Sequence, residues 1–206
     1  FNPVTRQLNF ANLPLPDLHE FFGKNLKEAL QYGYYTPNSR GCFYGCTFCQ
    51  NAAVKEEIDN KGKSGFKFYP IGWMMDYLEH IKKNYGPVKN FYFTDSIFTV
   101  DKAYLKNFLQ EYKKKINIPF ICATRMNLID DEIAFLLKKY GCSKVNFGIE
   151  SGIEQTRNIL LKKGETDRHL IDGINSCKKC NLRTAGNVII GLPGETFDEA
   201  FESIKK

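Results

Sequence analysis

Three cysteines crowd into one short stretch. Cys42, Cys46 and Cys49 stand in Ser39-Arg40-Gly41-Cys42-Phe43-Tyr44-Gly45-Cys46-Thr47-Phe48-Cys49-Gln50-Asn51, a C-x3-C-x2-C spacing. Thiolates are the soft ligands that zinc and iron–sulfur clusters take. Gly41 and Gly45 permit the backbone angles that a loop wrapping a metal centre needs. A cubane cluster usually has four thiolates, one per iron, so three local ligands leave one iron without a protein ligand. Such an open position marks catalytic metal centres, whereas structural ones are closed. The triad also fits a zinc loop whose fourth ligand is His80 or a distant cysteine.

The remaining cysteines are Cys122, Cys142, Cys177 and Cys180, making seven in all. An odd count with three clustered is unlike a secreted disulfide framework and points to a reducing compartment, which we take as the cytoplasm. Cys177 and Cys180 form a C-x2-C pair at a predicted helix end, a candidate second metal site weighed against ordinary buried thiols. Cys122 and Cys142 read as core positions. His80 and His169 read as surface helix residues, and His19 lies in the lead-in.

Further chemistry sits just after predicted strands. Asp95, in Phe93-Thr94-Asp95-Ser96, is a carboxylate that can accept hydrogen bonds from an ammonium group, or can support the turn before a helix capped by Thr99 or Asp101. Arg125, in Ala123-Thr124-Arg125-Met126-Asn127, can pair with a carboxylate or form a surface ion pair. Glu150 and Ser151, in Phe147-Gly148-Ile149-Glu150-Ser151-Gly152, lie between small residues that allow close ligand approach. There a carboxylate can take two ribose hydroxyls, or the pair can cap the next helix. Gly191 opens the turn Gly191-Leu192-Pro193-Gly194-Glu195. The G-x4-G-K-[ST] phosphate loop is missing, which excludes a P-loop nucleoside triphosphatase.

The elements that must position these groups alternate. Strands are predicted at 34–39, 88–94, 119–124, 144–149 and 183–190. Helices are predicted at 71–85, 102–115, 130–140, 153–161, 168–179 and 195–206, the last with Phe197, Ala200, Phe201 and Ile204 on one face. Residues 1–22 read as extended and 56–67 as a loop. Repeated strand–helix units imply parallel strands with right-handed crossovers. An open doubly wound sheet and a full or partial barrel both fit, and either carries its ligands at the carboxyl ends of the strands.

The 206 residues suffice for one domain with a substantial core; 43% are hydrophobic and 25% charged. No run is long enough for a membrane span and no signal-peptide pattern opens the chain. The net charge of +6 is spread out, so nucleic-acid binding is not indicated, and a basic face suits docking of an acidic electron-donor protein such as a flavodoxin or ferredoxin.

The motifs resemble those of the radical S-adenosylmethionine (SAM) superfamily, from about Phe10 to Lys206. Cys42, Cys46, Phe48 and Cys49 match its C-x3-C-x-aromatic-C hallmark. The resemblance implies a [4Fe–4S] cluster on the three cysteines, SAM chelating the fourth iron through its amino and carboxylate groups, and Phe48 near the adenine. It assigns the Glu150–Ser151 stretch to SAM binding, the loop of Asp95 to the SAM amino group (in place of the frequent Gly-Gly-Glu), and the Gly191 segment to packing on adenine. Arg125 becomes a partner for the SAM carboxylate. The fold implied is α/β, a partial (βα)6 TIM-like parallel barrel with about five strands, truncated at its C-terminus. Residues 1–33 then form a lead-in and 34–206 the catalytic core. The R-G-C-x-x-G-C-T-F-C, G-I-E-S-G and G-L-P-G-E phrases are similar to the branch with an N-terminal cobalamin-binding domain. Cobalamin therefore enters as a cofactor of a domain outside these residues. The implied reaction is reductive cleavage of SAM to a 5′-deoxyadenosyl radical for hydrogen abstraction, extending to methyl transfer or oxidative cyclisation. The alternatives are a methylthiotransferase of the same superfamily and a non-catalytic zinc-binding module.

Overall fold

Apolar residues recur at the spacings of alternating helices and strands, and the computed structural model, which describes residues 12–59 and 66–206, follows them. In chain order the elements are α1 (Leu18–Phe22), α2 (Leu26–Tyr32), β1 (Tyr34–Thr36), β2 (Ser39–Arg40), α3 (Gln50–Asp59), β3 (Lys67–Phe68) and α4 (Ile71–Asn84). They continue with β4 (Phe91–Phe93), α5 (Lys102–Lys115), β5 (Phe120–Ala123), α6 (Asp131–Lys139), β6 (Cys142–Glu150), α7 (Asp167–Lys179), β7 (Arg183–Val188) and α8 (Phe197–Lys205).

The main sheet has five parallel strands in the order β1-β4-β5-β6-β7. β2 and β3 form a separate antiparallel pair. Each new main-sheet strand joins the same growing edge. A doubly wound sheet reverses direction at a switch point, so this order belongs to a partial TIM-like barrel. The helices bury the faces that their spacing marks: Met74, Leu78 and Ile81 of α4, Phe108, Leu109 and Tyr112 of α5, Ile133 and Leu137 of α6. Caps start them: Asp101 accepts from the Tyr104 N–H at 2.8 Å and Asp130 from that of Ile133 at 2.7 Å. Phe93 anchors the ring-rich core, stacked on Phe98 at 4.9 Å and edge-on to Phe108 at 5.4 Å and Phe120 at 5.5 Å.

Several expectations change. The lead-in is not extended throughout: Asp17 caps α1 by accepting from the His19 N–H at 2.9 Å, and Leu18, Leu26 and Leu30 are buried in the core. Of that stretch, residues 1–11 lie outside the described residues. The loop expected at 56–67 is partly helix, since α3 runs on to Asp59; residues 60–65 lie outside the described residues. Val54 to Glu57 contains no strong helix breaker, so nothing local ends the helix there.

The helix expected at 153–161 is mainly a π-turn, Thr156–Leu160. Arg157 in it is fully buried and donates to the carbonyl oxygens of Ser151 (2.7 Å) and Glu165 (2.9 Å) and to Asp167. Such turns mark places where a helix yields to a local demand. The apolar face of α8 is exposed at Phe197 (80%) and Ile204 (66%). Among the described residues no helix is long and apolar enough to cross a membrane.

α8 touches the end of β6 through Gly152. The Gly152 N–H donates to Ser203 Oγ at 2.7 Å, and a Cβ there would lie 2.7 Å from Ser203 Cα and 2.8 Å from the Glu202 carbonyl oxygen. Backbone cannot give way as a side chain can. Gly152→Ala is therefore expected to lower unfolding free energy by about 1–3 kcal/mol, read from urea denaturation midpoints.

Candidate functional site

From Gly41 to Cys49 the chain forms neither helix nor strand, so its shape is imposed from outside. Asp95, 3% exposed just beyond β4, holds the approach to it: its carboxylate accepts from the Asn38 N–H at 2.9 Å and from the Ser39 hydroxyl at 2.5 Å. Burial pushes the Asp95 carboxyl up to about 6, with those two donors pulling the other way. The π-turn holds the far side. The Thr47 N–H donates to the Leu161 carbonyl at 3.1 Å and the Thr47 hydroxyl to that of Leu160 at 2.8 Å. Phe43 packs on Phe66 with ring centres 4.5 Å apart, and the Asn51 amide donates to Ser96 Oγ at 3.0 Å.

The loop closes one side of a cavity of about 220 Å³ at the carboxyl ends of the strands. Cys42, Cys46, Cys49, Tyr44 and Phe48 line it from the loop, Ser96 and Ile97 from beyond β4, Arg125 from beyond β5, Asn146 and Glu150 from β6, Lys163 from beyond the π-turn and Asn187 from β7. A larger hollow of about 510 Å³ lies beside β1, under α1 and α2. Among the described residues its walls, Phe21, Phe22, Leu30 and Tyr34 among them, offer no thiol, carboxylate or cation, whereas the smaller cavity is lined by all three.

Glu150 enters that cavity by a backbone device. The β6–β7 register slips between Gly148 and Glu150, and Glu150 takes a left-handed φ of 68°. Its carboxylate folds back over Gly148, into the space that a Cβ at that position would occupy. Gly148 thus makes room for Glu150, and Gly152 for α8, where the sequence suggested room for a ligand. Lys163, 4% exposed, sits between two carboxylates, 3.6 Å from Glu150 Oε1 and 3.2 Å from Glu165 Oε2. Burial pushes the Glu150 carboxyl up and Lys163 pulls it back. Among the described residues Glu165 Oε2 has no hydrogen-bond partner, and the ion pair with Lys163 compensates its burial.

Of the residues singled out from sequence, Cys42, Cys46, Cys49, Phe48, Arg125 and Glu150 meet at the cavity. Asp95 does not line it, both carboxylate oxygens being engaged by Asn38 and Ser39. Ser151 is buried behind Glu150 and accepts from the Ile153 N–H at 3.2 Å. Gly191, with φ 85°, lies in an exposed turn where Glu195 Oε2 accepts from its N–H at 2.6 Å. Sequence reasoning missed Lys163, Asn146, Asn187 and the part played by Tyr44. Lys162-Lys163-Gly164-Glu165 looks like a solvated turn, and only the fold shows Lys163 buried between carboxylates. Asn187, a polar residue just ahead of the apolar Val188-Ile189-Ile190 run, was the readable signal.

The donor set fits an iron–sulfur cluster. Three thiols face one cavity, with a cation, Arg125, behind them. Burial pushes the Cys42 thiol up, partly offset by the Tyr44 N–H and Arg125, so a bound metal would be needed to hold it as a thiolate. Among the described residues no three His, Cys, Asp or Glu side chains converge as ligands of a single ion. A cubane takes one thiolate per iron. Cys122, Cys142 and Cys177 are core residues: the first two have sulfurs 3.9 Å apart, and burial pushes the Cys177 thiol up to about 11.

The profile of the radical SAM superfamily matches residues 37–206. An uncharacterized methyltransferase of Pyrococcus horikoshii is 30% identical over 168 residues, 81% of this chain and 35% of that protein. The chain thus spans about a third of that curated relative. Among solved structures, the cobalamin-dependent SAM radical enzyme OxsB, with aqua-cobalamin and SAM bound, superposes with a TM-score of 0.74 at 17% identity, covering 98% of this chain and 30% of that one. The radical SAM methyltransferase TsrM from Kitasatospora setae, with cobalamin and a [4Fe–4S] cluster bound, gives 0.67 at 18%, covering 84% and 34%. At those identities the two structures establish a shared fold.

The Asp95 clamp has a pH signature. Its carboxyl titrates at about 6 in the fold against 3.8 ordinarily, so the folded chain binds this proton more tightly than the unfolded one. The stability it contributes is present in full below about pH 4 and declines as pH rises through about 6. Urea unfolding from pH 4 to 8, wild type minus Asp95→Asn, is expected to fall across pH 4–6 and level off above 7. A difference flat in pH contradicts the assignment.

Proposed function

The chain belongs to the radical SAM superfamily, and from that premise we propose that it is the catalytic core of an enzyme that reductively cleaves SAM on a [4Fe–4S] cluster held by Cys42, Cys46 and Cys49. The observation that carries this is one cavity at the strand ends where those three thiols meet the glutamate of the bulged β6 terminus. A cluster held by Cys42, Cys46 and Cys49 would supply one electron for cleavage of the SAM C–S bond, giving methionine and a 5′-deoxyadenosyl radical able to take hydrogen from substrate.

The chain's own residues bind, orient and exclude water. Cys42, Cys46 and Cys49 each offer one thiolate, and the loop supplies no fourth. Phe48, 41% exposed at the cavity, gives an apolar ring for the adenine. Glu150 accepts the ribose hydroxyls, and Lys163 favours its ionised, accepting form against the effect of burial. Asn146 and Asn187 add neutral donors and acceptors to the same wall. Asp95, Ser151 and Gly191 serve from outside the cavity. Asp95 fixes the loop, Ser151 braces the turn behind Glu150, and Gly191 shapes the loop after β7.

The relative at 30% identity is named a methyltransferase, which favours methyl transfer as the overall reaction. Cobalamin, bound in both solved neighbours, belongs in this reading to a part of the protein outside these residues. A low-potential donor such as a flavodoxin or ferredoxin supplies the electron, and the cytoplasm suits both that donor and reduced thiols.

Three single variants test the assignment. Anaerobically reconstituted wild type is expected to hold about four irons and four sulfides per chain and to release 5′-deoxyadenosine from SAM under reducing conditions. Cys42→Ala, Cys46→Ala and Cys49→Ala are each expected to lose SAM cleavage, with the far-UV circular dichroism of wild type retained. One zinc per chain in wild type, or 5′-deoxyadenosine from a variant with all three cysteines replaced by Ala, refutes it.

A further inference from the structure

Arg125 is more heavily committed than recognition of a SAM carboxylate requires. It is 6% exposed, and every guanidinium nitrogen already faces a protein group. Nε donates to Asn127 Oδ1 at 3.2 Å, Nη2 to the Lys163 carbonyl oxygen, and Nη1 points at Cys46 Sγ at 3.7 Å. The guanidinium plane rests on the Tyr44 ring, 3.8 Å from its centroid. Tyr44 and Cys46 both belong to the cysteine loop, and the same charge acts on Cys42.

We propose that Arg125 tunes the reduction potential of the cluster bound by this loop. This rests on the cluster reading above and adds a role distinct from binding SAM. A cluster accepting one electron from an external donor gains one negative charge, shared with its thiolate ligands. Hydrogen bonds to the sulfurs and nearby charge are established levers on cluster potential. A buried cation whose N–H is aimed at a ligand sulfur stabilises the reduced state more than the oxidised one, in surroundings where water screens little. Arg125 therefore raises the potential toward the reach of the donor. Stacking on Tyr44 and donation to the Lys163 carbonyl keep the charge in place, so Arg125 acts through Cys46 as a positioning and tuning residue.

The test is the midpoint potential of the reconstituted chain, followed by electron paramagnetic resonance without SAM, in wild type, Arg125→Lys and Arg125→Gln. Arg125→Gln is expected to make cluster reduction about tenfold less favourable, a potential ~59 mV lower for one electron. Arg125→Lys keeps a charge but loses the planar fork that serves three acceptors at once, and is expected to fall between. Should Arg125→Gln take up no cluster, Arg125→Lys decides alone: a lowered potential supports the proposal and an unchanged one overturns it. Weakened SAM binding with unchanged potentials likewise overturns it and returns Arg125 to carboxylate recognition. A wild-type chain that takes up no cluster sinks the parent reading and this one with it. Unchanged potentials in cluster-loaded variants sink this one alone.

Discussion

A loop that brings three thiols to one cavity yet makes no regular backbone ladder must be held by its surroundings. In this chain Asp95 grips Asn38 and Ser39 before the loop, the carbonyls of Leu160 and Leu161 at the end of the π-turn hold Thr47 within it, and Arg125 lies against Tyr44 and Cys46 at its centre. Each grip comes from the segment after a different strand of one parallel sheet. The fold's regularity thus becomes a three-sided clamp on an irregular segment. The ordering entropy of such a loop is of order 1–2 kcal/mol per residue. Meeting that cost during folding, before any ligand arrives, is what makes the thiols a prepared site.

The cavity the loop closes is governed by opposed buried charges. Glu150 and Glu165 flank Lys163, and Arg125 faces the thiols. A buried charge is tolerable only when partnered, so these pairings also fix where each head group points. The bulge that turns Glu150 inward, the glycine that gives its carboxylate room and the lysine that balances it form one arrangement. Changing one of the three disturbs the others.

Most of the fold could be read from the sequence because apolar spacing reports burial directly. The strands and helices from α4 to α7 fall close to where periodicity puts them, apart from the π-turn, and the strand order settles the choice between barrel and doubly wound sheet. The π-turn was hidden because Arg157, fully buried, looks like a surface residue in a polar stretch. The α1–α2 segment was hidden because prolines ahead of Asp17 suggested extended chain, whereas Asp17 is a cap. At the site, residues whose spacing is local were legible: Cys42, Cys46, Cys49, Phe48 and the Glu150 stretch. Residues defined by contacts distant in sequence were not. Lys163 is a surface-type residue until Glu150 is beside it, and Asp95 looks like a ligand until Ser39 is seen to occupy it.

In the proposed function the loop leaves one cluster corner free for the cofactor. The most direct measurement is the electron paramagnetic resonance spectrum of the reduced, reconstituted protein before and after SAM is added. Direct coordination of SAM changes the ligand field of one iron, so the g values are expected to shift and the shift to saturate with SAM concentration. A reduced cluster whose spectrum stays the same at saturating SAM would contradict it.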